Sequence, residues 1–179
     1  MLEIIIQGRG GQGAQTAGNL LARAFFAENK YVQVFASYGG ARRGTPVSSS
    51  LRIEDKKIRR RCDIEHPDAI LCFDDSLLYG PLLKGARKDT LIVVNTSKGA
   101  ADLEGLGDYS IYTIDGIAVS QRNGLGRIVN SALLGAFTAV LKSPEIGSIR
   151  QAIAESAPVK KEENVSACLD GYELMRNMI

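Results

Sequence analysis

The sequence predicts an α/β fold, a three-layer α/β/α sandwich on a mixed but mostly parallel central sheet. Three observations predict it. Strand-length apolar runs alternate with helical patterns along the chain. The first of these strands turns through glycines directly into a helix, as in Rossmann-like units. No repeat, low-complexity tract or linker divides the 179 residues, so residues 1–179 are expected to form a single domain. Hydrophobic residues make up 45% of the chain, enough to bury a full core without disulfide or metal staples.

Leu2–Gln7 is an isoleucine-rich run with the length of a buried strand. The segment Gly8-Arg9-Gly10-Gly11-Gln12-Gly13 follows, and a helix is predicted over Ala14–Glu28, because Ala17, Leu20, Leu21, Ala24 and Phe25 share one face. Asn29-Lys30 ends it, and Tyr31–Ala36 is the second strand, so the three elements have the length of a parallel crossover. A polar glycine-rich loop, residues 37–46, comes next. Val47–Ile53 and Lys57–Arg61 then read as a hairpin turning at Glu54-Asp55-Lys56, which makes the sheet mixed.

Ala69–Phe73 is an apolar strand, and Asp74-Asp75 is placed to cap a helix running to about Lys84. Thr90–Asn95 and Ser110–Ile114 are further strands. The last third is mostly helical. Leu125–Leu141 carries an apolar stripe, Ser143-Pro144-Glu145 reads as the start of a helix to about Glu155, and a final helix begins near Lys161 with Val165, Cys168, Leu169, Tyr172 and Met175 on one side.

The bulk chemistry narrows the function. Charged residues make up 23% with a formal net charge of +2, unlike a general nucleic-acid binder or a disordered tail. Aromatics are 6% with no Trp, which argues against base-stacking platforms. No basic segment with an apolar run and cleavage site opens the chain, and no stretch reaches the roughly 20 apolar residues of a membrane span. The expectation is a cytoplasmic protein. Cys62, Cys72 and Cys168 lack metal-ligand spacing, and the latter two fall on apolar faces as core residues.

The glycine loop is the feature that points to a ligand. Four glycines in six residues allow a tight turn and a close backbone approach, and the N–H groups at the head of the next helix favour an anion. Gly8, Gly10 and Gly13 satisfy G-x-G-x-x-G. A dinucleotide site also needs an acid after the second strand, and here Ala36-Ser37 follows with no carboxylate nearby, which disfavours NAD. Arg42 and Arg43 suit the 2′-phosphate of NADP better. The glycines serve a phosphate-bearing ligand, a partner's cofactor, or only tight strand-to-helix packing. Gln12 adds an amide that a plain phosphate cradle does not need.

Gly8-Arg9-Gly10-Gly11-Gln12-Gly13 at the start, Tyr38-Gly39-Gly40-Ala41-Arg42-Arg43-Gly44-Thr45-Pro46-Val47 after the second strand, Pro67-Asp68 before an apolar strand, and Asn130 ahead of Leu133-Leu134-Gly135-Ala136 together resemble the gamma subunit of 2-oxoacid:ferredoxin oxidoreductases. The likeness runs from residue 3 to the final helix. The Arg42-Arg43-Gly44-Thr45-Pro46-Val47 form is similar to the pyruvate and branched-chain enzymes rather than the 2-oxoglutarate ones. The resemblance implies one chain of a complex with alpha, beta and delta subunits, inactive by itself. That complex decarboxylates a 2-oxoacid on thiamine diphosphate with Mg, passes electrons through iron–sulfur clusters to ferredoxin, and gives the acyl group to coenzyme A.

It implies no catalytic residue and no metal ligand on this chain, and Gly107-Asp108-Tyr109 is not the thiamine motif. The residues expected to contact a cofactor are Gly8, Arg9, Gly10, Gly11, Gln12, Gly13, Arg42, Arg43, Gly44 and Asn130. Arg9 suits a phosphate or a partner acid, or is an ordinary surface arginine. Arg42 and Arg43 suit phosphates or carboxylates, or an interface salt bridge. Asn130 either bonds the glycine loop or caps its own helix. Asp74-Asp75 reads as a cap, the lone His66 has no base or nucleophile beside it, and Lys56-Lys57 with Arg59-Arg60-Arg61 reads as a solvated or partner-facing strand. Two other functions fit the same residues: a stand-alone NADP-binding reductase, and a scaffold whose glycine loop is only structural.

Overall fold

The computed structural model describes residues 1–40, 44–107, 109–157 and 159–179. Its strands are β1 (Leu2–Arg9), β2 (Tyr31–Tyr38), β3 (Pro46–Glu54), β4 (Ala69–Cys72), β5 (Leu91–Asn95) and β6 (Ser110–Ile114). Its helices are α1 (Ala14–Ala27), the single turn α2 (Gly80–Leu83), α3 (Gly116–Arg122), α4 (Asn130–Leu141), α5 (Ile146–Ser156) and α6 (Lys161–Arg176), with 3-10 turns at Asp75–Leu77 and Ala100–Leu106. The strands form one six-stranded sheet in the order β2-β3-β1-β4-β5-β6. β1, β4, β5 and β6 pair in parallel. β3 runs antiparallel to both its neighbours, so it alone makes the sheet mixed.

The predicted hairpin is therefore corrected. β3 does turn back, but onto β2 and β1 rather than onto residues 57–61. Both hydrogen-bonding edges of β3 are filled by those strands, which leaves no edge for a third. Residues 57–61 are irregular and Arg59, Arg60 and Arg61 are exposed. The β1–α1–β2 unit is present with its two strands parallel, but β3 separates them.

Alternation along the strands sends side chains to two cores. Ile4, Ile6, Leu51, Ile53, Leu71 and Val93 pack under α1, α4, α5 and α6. Ile70, Cys72, Ile92 and Val94 pack on the other face against Leu77, Leu83 and Leu103. The sheet thus lies between two helical layers, and among the described residues the layer over Ile70 and Val94 is built of short turns and α2. Cys72 and Cys168 are fully buried, as expected, and burial pushes both thiols up to about 12. No helix among the described residues is long and apolar enough to cross a membrane.

Several boundaries differ from the sequence pattern, each for a local reason. The stripe assigned to Leu125–Leu141 starts at Asn130, because Gly124 and Gly126 take left-handed φ values of 71° and 63° and turn the chain first. α4 is buried on every side from Ser131 to Val140, since α1, α5 and α6 surround it on the sheet. A separate helix, α3, precedes it and is capped by Asp115, which accepts from Ala118 N at 2.9 Å. The helix expected to Lys84 is only a 3-10 turn followed by α2. α5 starts at Ile146 rather than on Ser143-Pro144: Glu145 is its N-cap, and the Glu145 N–H donates to Glu28 Oε1 at 2.8 Å.

One buried ion pair locks the sheet to the irregular segment. Arg52 of β3 is 2% exposed, and its Nε donates to Glu3 Oε1 at 2.6 Å while NH2 donates to Asp63 O at 3.1 Å. This fixes residues near Asp63 over the strands that carry the site.

Candidate functional site

β1 ends at Arg9, and the chain turns through Gly10–Gly13 into α1. Gly11 and Gly13 take φ values of 96° and 93°, a region that side chains with a Cβ rarely enter. Among the described residues no side chain caps α1, and its first-turn N–H groups have no capping partner there. Gly10 N donates to Thr45 O at 2.9 Å, which holds the loop against the β2–β3 connection. Between these two segments lies an open cleft of about 870 Å³, lined by Arg9, Gly10, Gly11, Gly13, Ala14, Gln15, Thr16, Tyr38, Gly40, Thr45 and Val47. The first turn of α1 with Thr16 lines it together with Tyr38, which is 64% exposed and whose hydroxyl donates to Gln15 Oε1 at 3.4 Å, and Thr45, whose hydroxyl donates to Gly40 O at 3.2 Å.

A polar cluster braces the cleft from behind. Gln12 does not line it. Its Oε1 accepts the Arg9 N–H at 2.7 Å and its Nε2 donates to Asp74 Oδ2 at 3.2 Å. Arg9 donates from Nε to the same Asp74 oxygen at 3.0 Å, from NH1 to Gly44 O at 3.1 Å and from NH2 to Ser76 Oγ at 2.8 Å. Asp74 Oδ1 accepts from Ser76 N at 3.1 Å and from the Ser76 hydroxyl. The expected cap at Asp74 is present, on the 3-10 turn, but the same carboxylate also anchors the glycine loop.

Burial works against ionisation of Asp74, yet the hydrogen bonds from the Ser76 hydroxyl and N–H, from Gln12 and from Arg9 outweigh it and hold the carboxyl below its ordinary 3.8. A lowered folded-state value contributes stability that is fully present above about pH 4 and is lost as pH falls through that lowered value. Asp74→Asn should therefore melt below the wild type at neutral pH, with the gap narrowing on acidification. Thermal melts from about pH 6 to about pH 3 check this, and a constant gap would contradict it.

The other expected site residues divide clearly. Gly8 is buried beneath the loop, and a Cβ on it would meet Ala14 Cβ at 3.0 Å. Gly44 contributes its carbonyl to Arg9 rather than lining the cleft. Asn130 opens α4 with its side chain against Gly13, where a Cβ would sit 2.5 Å from Asn130 Nδ2. It is not the N-cap, a position held by Val129. Arg42 and Arg43 lie outside the described residues. His66 is remote from the cleft, with Nδ1 3.1 Å from Gly85 O.

Tyr38, Thr16 and Thr45 were not among the expected contacts, and Asp74 was read only as a cap. Tyr38 is the instructive case. Overall aromatic content argues against stacking surfaces, but one exposed ring at the end of β2 is enough to make a wall. On the far side of Gln12 a second, smaller cleft of about 430 Å³ includes Asn95, Lys98, Asp115 and Arg127. Among the described residues no group of His, Cys, Asp or Glu could hold a metal ion.

The fold and cleft define an α/β protein in which a glycine-led helix start and an exposed tyrosine line one cleft. The comparisons agree on its family. Residues 3–174 match the model for pyruvate ferredoxin/flavodoxin oxidoreductase. The chain is 41% identical to pyruvate synthase subunit PorC of Methanocaldococcus jannaschii, over 98% of this chain and 97% of that one. It is 39% identical to the pyruvate/ketoisovalerate oxidoreductases common subunit gamma of Thermococcus kodakarensis, with 96% of each covered. The crystal structure of pyruvate oxidoreductase subunit PORC from Thermotoga maritima superposes with a TM-score of 0.85 at 31% identity, covering 96% of this chain and 95% of that one. The chain belongs to the pyruvate ferredoxin/flavodoxin oxidoreductase family, as a subunit of the gamma type.

Proposed function

We propose that this chain is the gamma subunit of a pyruvate or branched-chain 2-oxoacid:ferredoxin oxidoreductase, and that its cleft takes the nucleotide end of coenzyme A. The observation that carries this is the glycine-led start of α1 opening into a cleft that the exposed Tyr38 also lines. Backbone N–H groups at a helix start suit phosphates, the hydroxyl of Thr16 suits a phosphate or ribose oxygen, and an exposed aromatic suits an adenine face. When bound, coenzyme A supplies the thiol that accepts the acyl group. This chain holds and orients the coenzyme's far end, so that the thiol reaches chemistry carried out on sister chains.

We place thiamine diphosphate with its Mg and the iron–sulfur clusters on the alpha, beta and delta partners, with ferredoxin as electron acceptor and the cytoplasm as the location. Cys72 and Cys168 are buried in separate cores on opposite faces of the sheet, so they are not placed to share a cluster. Gln12 and Asp74 bond each other across the β1–β4 crevice, where dinucleotides bind in open sheets, which counts against a stand-alone NADP reductase.

The test uses the assembled complex and two acyl acceptors, coenzyme A and pantetheine, which lacks the nucleotide. Tyr38→Ala should raise KM for coenzyme A about ten-fold, from a stacking contribution of about 1–3 kcal/mol, and leave KM for pantetheine unchanged. Equal KM values for mutant and wild type with both acceptors would reduce the cleft to a scaffold feature. Micromolar binding of NADPH to the isolated chain would favour the reductase instead.

A further inference from the structure

Two walls of the cleft come from distant parts of the chain, the Gly10–Gly13 loop and, from the β2–β3 connection, Gly40 and Thr45. Both are tied to one carboxylate. β4 lies beside β1 in parallel, and Phe73 N donates to Gln7 O at 2.8 Å, so Asp74 emerges immediately next to the glycine loop. Its Oδ2 receives both Arg9 Nε and Gln12 Nε2. Gln12, clamped from its other end by the Arg9 N–H, fixes the path of residues 9–12. Arg9 carries the restraint across the cleft floor to Gly44 O. Each of the three guanidinium nitrogens has a protein partner, and both carboxylate oxygens are used. A cluster so fully paired shapes a wall. It has little capacity left to grip a ligand directly.

We propose that Asp74 is the positioning residue of this cleft: through Gln12 and Arg9 it sets the direction of the loop N–H donors and the spacing between the glycine loop and the β2–β3 connection. The inference rests on the assignment of the cleft to the nucleotide end of coenzyme A. The negative charge matters because one oxygen accepts from a guanidinium and an amide while the other accepts two donors from Ser76. An asparagine would turn an NH2 group toward one of those donor pairs, leaving them unsatisfied. Glutamate keeps the charge and, with one more methylene, restores part of the geometry.

The experiment measures the assembled complex with coenzyme A, pantetheine and the 2-oxoacid as varied substrates. Asp74→Asn should raise KM for coenzyme A about ten-fold or more, the effect of losing charge-assisted hydrogen bonds. Turnover at saturating coenzyme A and the KM values for pantetheine and the oxoacid should stay near wild type. Asp74→Glu should recover part of the loss. Arg9→Lys retains a charge but loses the fork that spans Asp74, Ser76 and Gly44. It should show the same selective defect, and the double variant should be less than additive. If Asp74→Asn fails to assemble, Arg9→Lys carries the same test.

Unchanged KM for coenzyme A in Asp74→Asn, with the Tyr38→Ala defect intact, overturns the positioning role and leaves the cleft assignment standing. Unchanged values in both overturn the two together. A uniform fall in turnover with every substrate marks a merely structural residue and also overturns the proposal.

Discussion

Gly135→Ala should cost about 3 kcal/mol of stability, the upper part of the usual range for overpacking, and should lower the denaturation midpoint accordingly. A Cβ at Gly135 of α4 would lie 1.9 Å from Cys168 O, 2.8 Å from Cys168 C and 3.0 Å from Tyr172 N of α6. The reciprocal contact is present: a Cβ at Gly171 of α6 would lie 2.2 Å from Ala132 O of α4. The obstacles are backbone atoms, so no rotamer change relieves them and the helices must part. α4 is the helix around which the apolar core is organised, with Leu133, Leu134 and Phe137 fully buried, so separation opens that core. Gly147→Ala is the control. It sits exposed in α5 with nothing within 4 Å of its Cβ position and should be neutral or stabilise by about 0.5–1 kcal/mol. A Gly135→Ala protein as stable as wild type would contradict the close helix contact.

Gly13→Ala should lower kcat/KM for coenzyme A on the order of a hundred-fold in the assembled complex, while the oxoacid KM changes little. Two costs act together. The residue has φ 93°, which is strained for an alanine by about 1–2 kcal/mol. Its Cβ would also stand 2.5 Å from Asn130 Nδ2 and 2.8 Å from Asn130 Oδ1. Relief requires either Asn130 to move or the loop to rotate, and a displacement of about 1 Å in a positioned ligand can cost this much in rate. Pairing Gly13→Ala with Asn130→Ala should restore part of the loss, because it removes the collision but not the backbone strain. Full recovery would show that φ is unimportant, and no recovery would show that Asn130 is not the obstacle.

The site was legible where its determinants are contiguous. The passage from β1 through Gly11 and Gly13 into α1 is written in neighbouring residues, since only glycine takes those φ values freely and the apolar spacing of Ala17, Leu20, Leu21 and Ala24 starts at once. The family likeness was legible for the same reason, through short motifs at both ends of that unit. The roles of Arg9 and Gln12 were not. A glutamine in a glycine loop offers the same amide to a ligand or to a protein partner, and its partner here is 62 residues away. Tyr38 likewise lies in a polar stretch with no periodic signal, and it lines the cleft only because the end of β2 comes within reach of Gln15 in the first turn of α1.

By itself the sequence determined the α/β class, the glycine turn, the buried cysteines and the family, all of which follow from local conformational preference, burial pattern and motif. Only the tertiary structure decided that β3 lies between β1 and β2. That depended on which strand edges were left to be paired, and the pairing joins Leu2 to Ile53 and Tyr31 to Glu54 across long stretches of chain. The tertiary structure also decided that Asp74 caps a turn and anchors the loop at once, because β4 sets that carboxylate beside a segment more than sixty residues earlier. Backbone preferences act over a few residues, whereas hydrogen-bond partners of side chains are fixed only when strands have taken their neighbours.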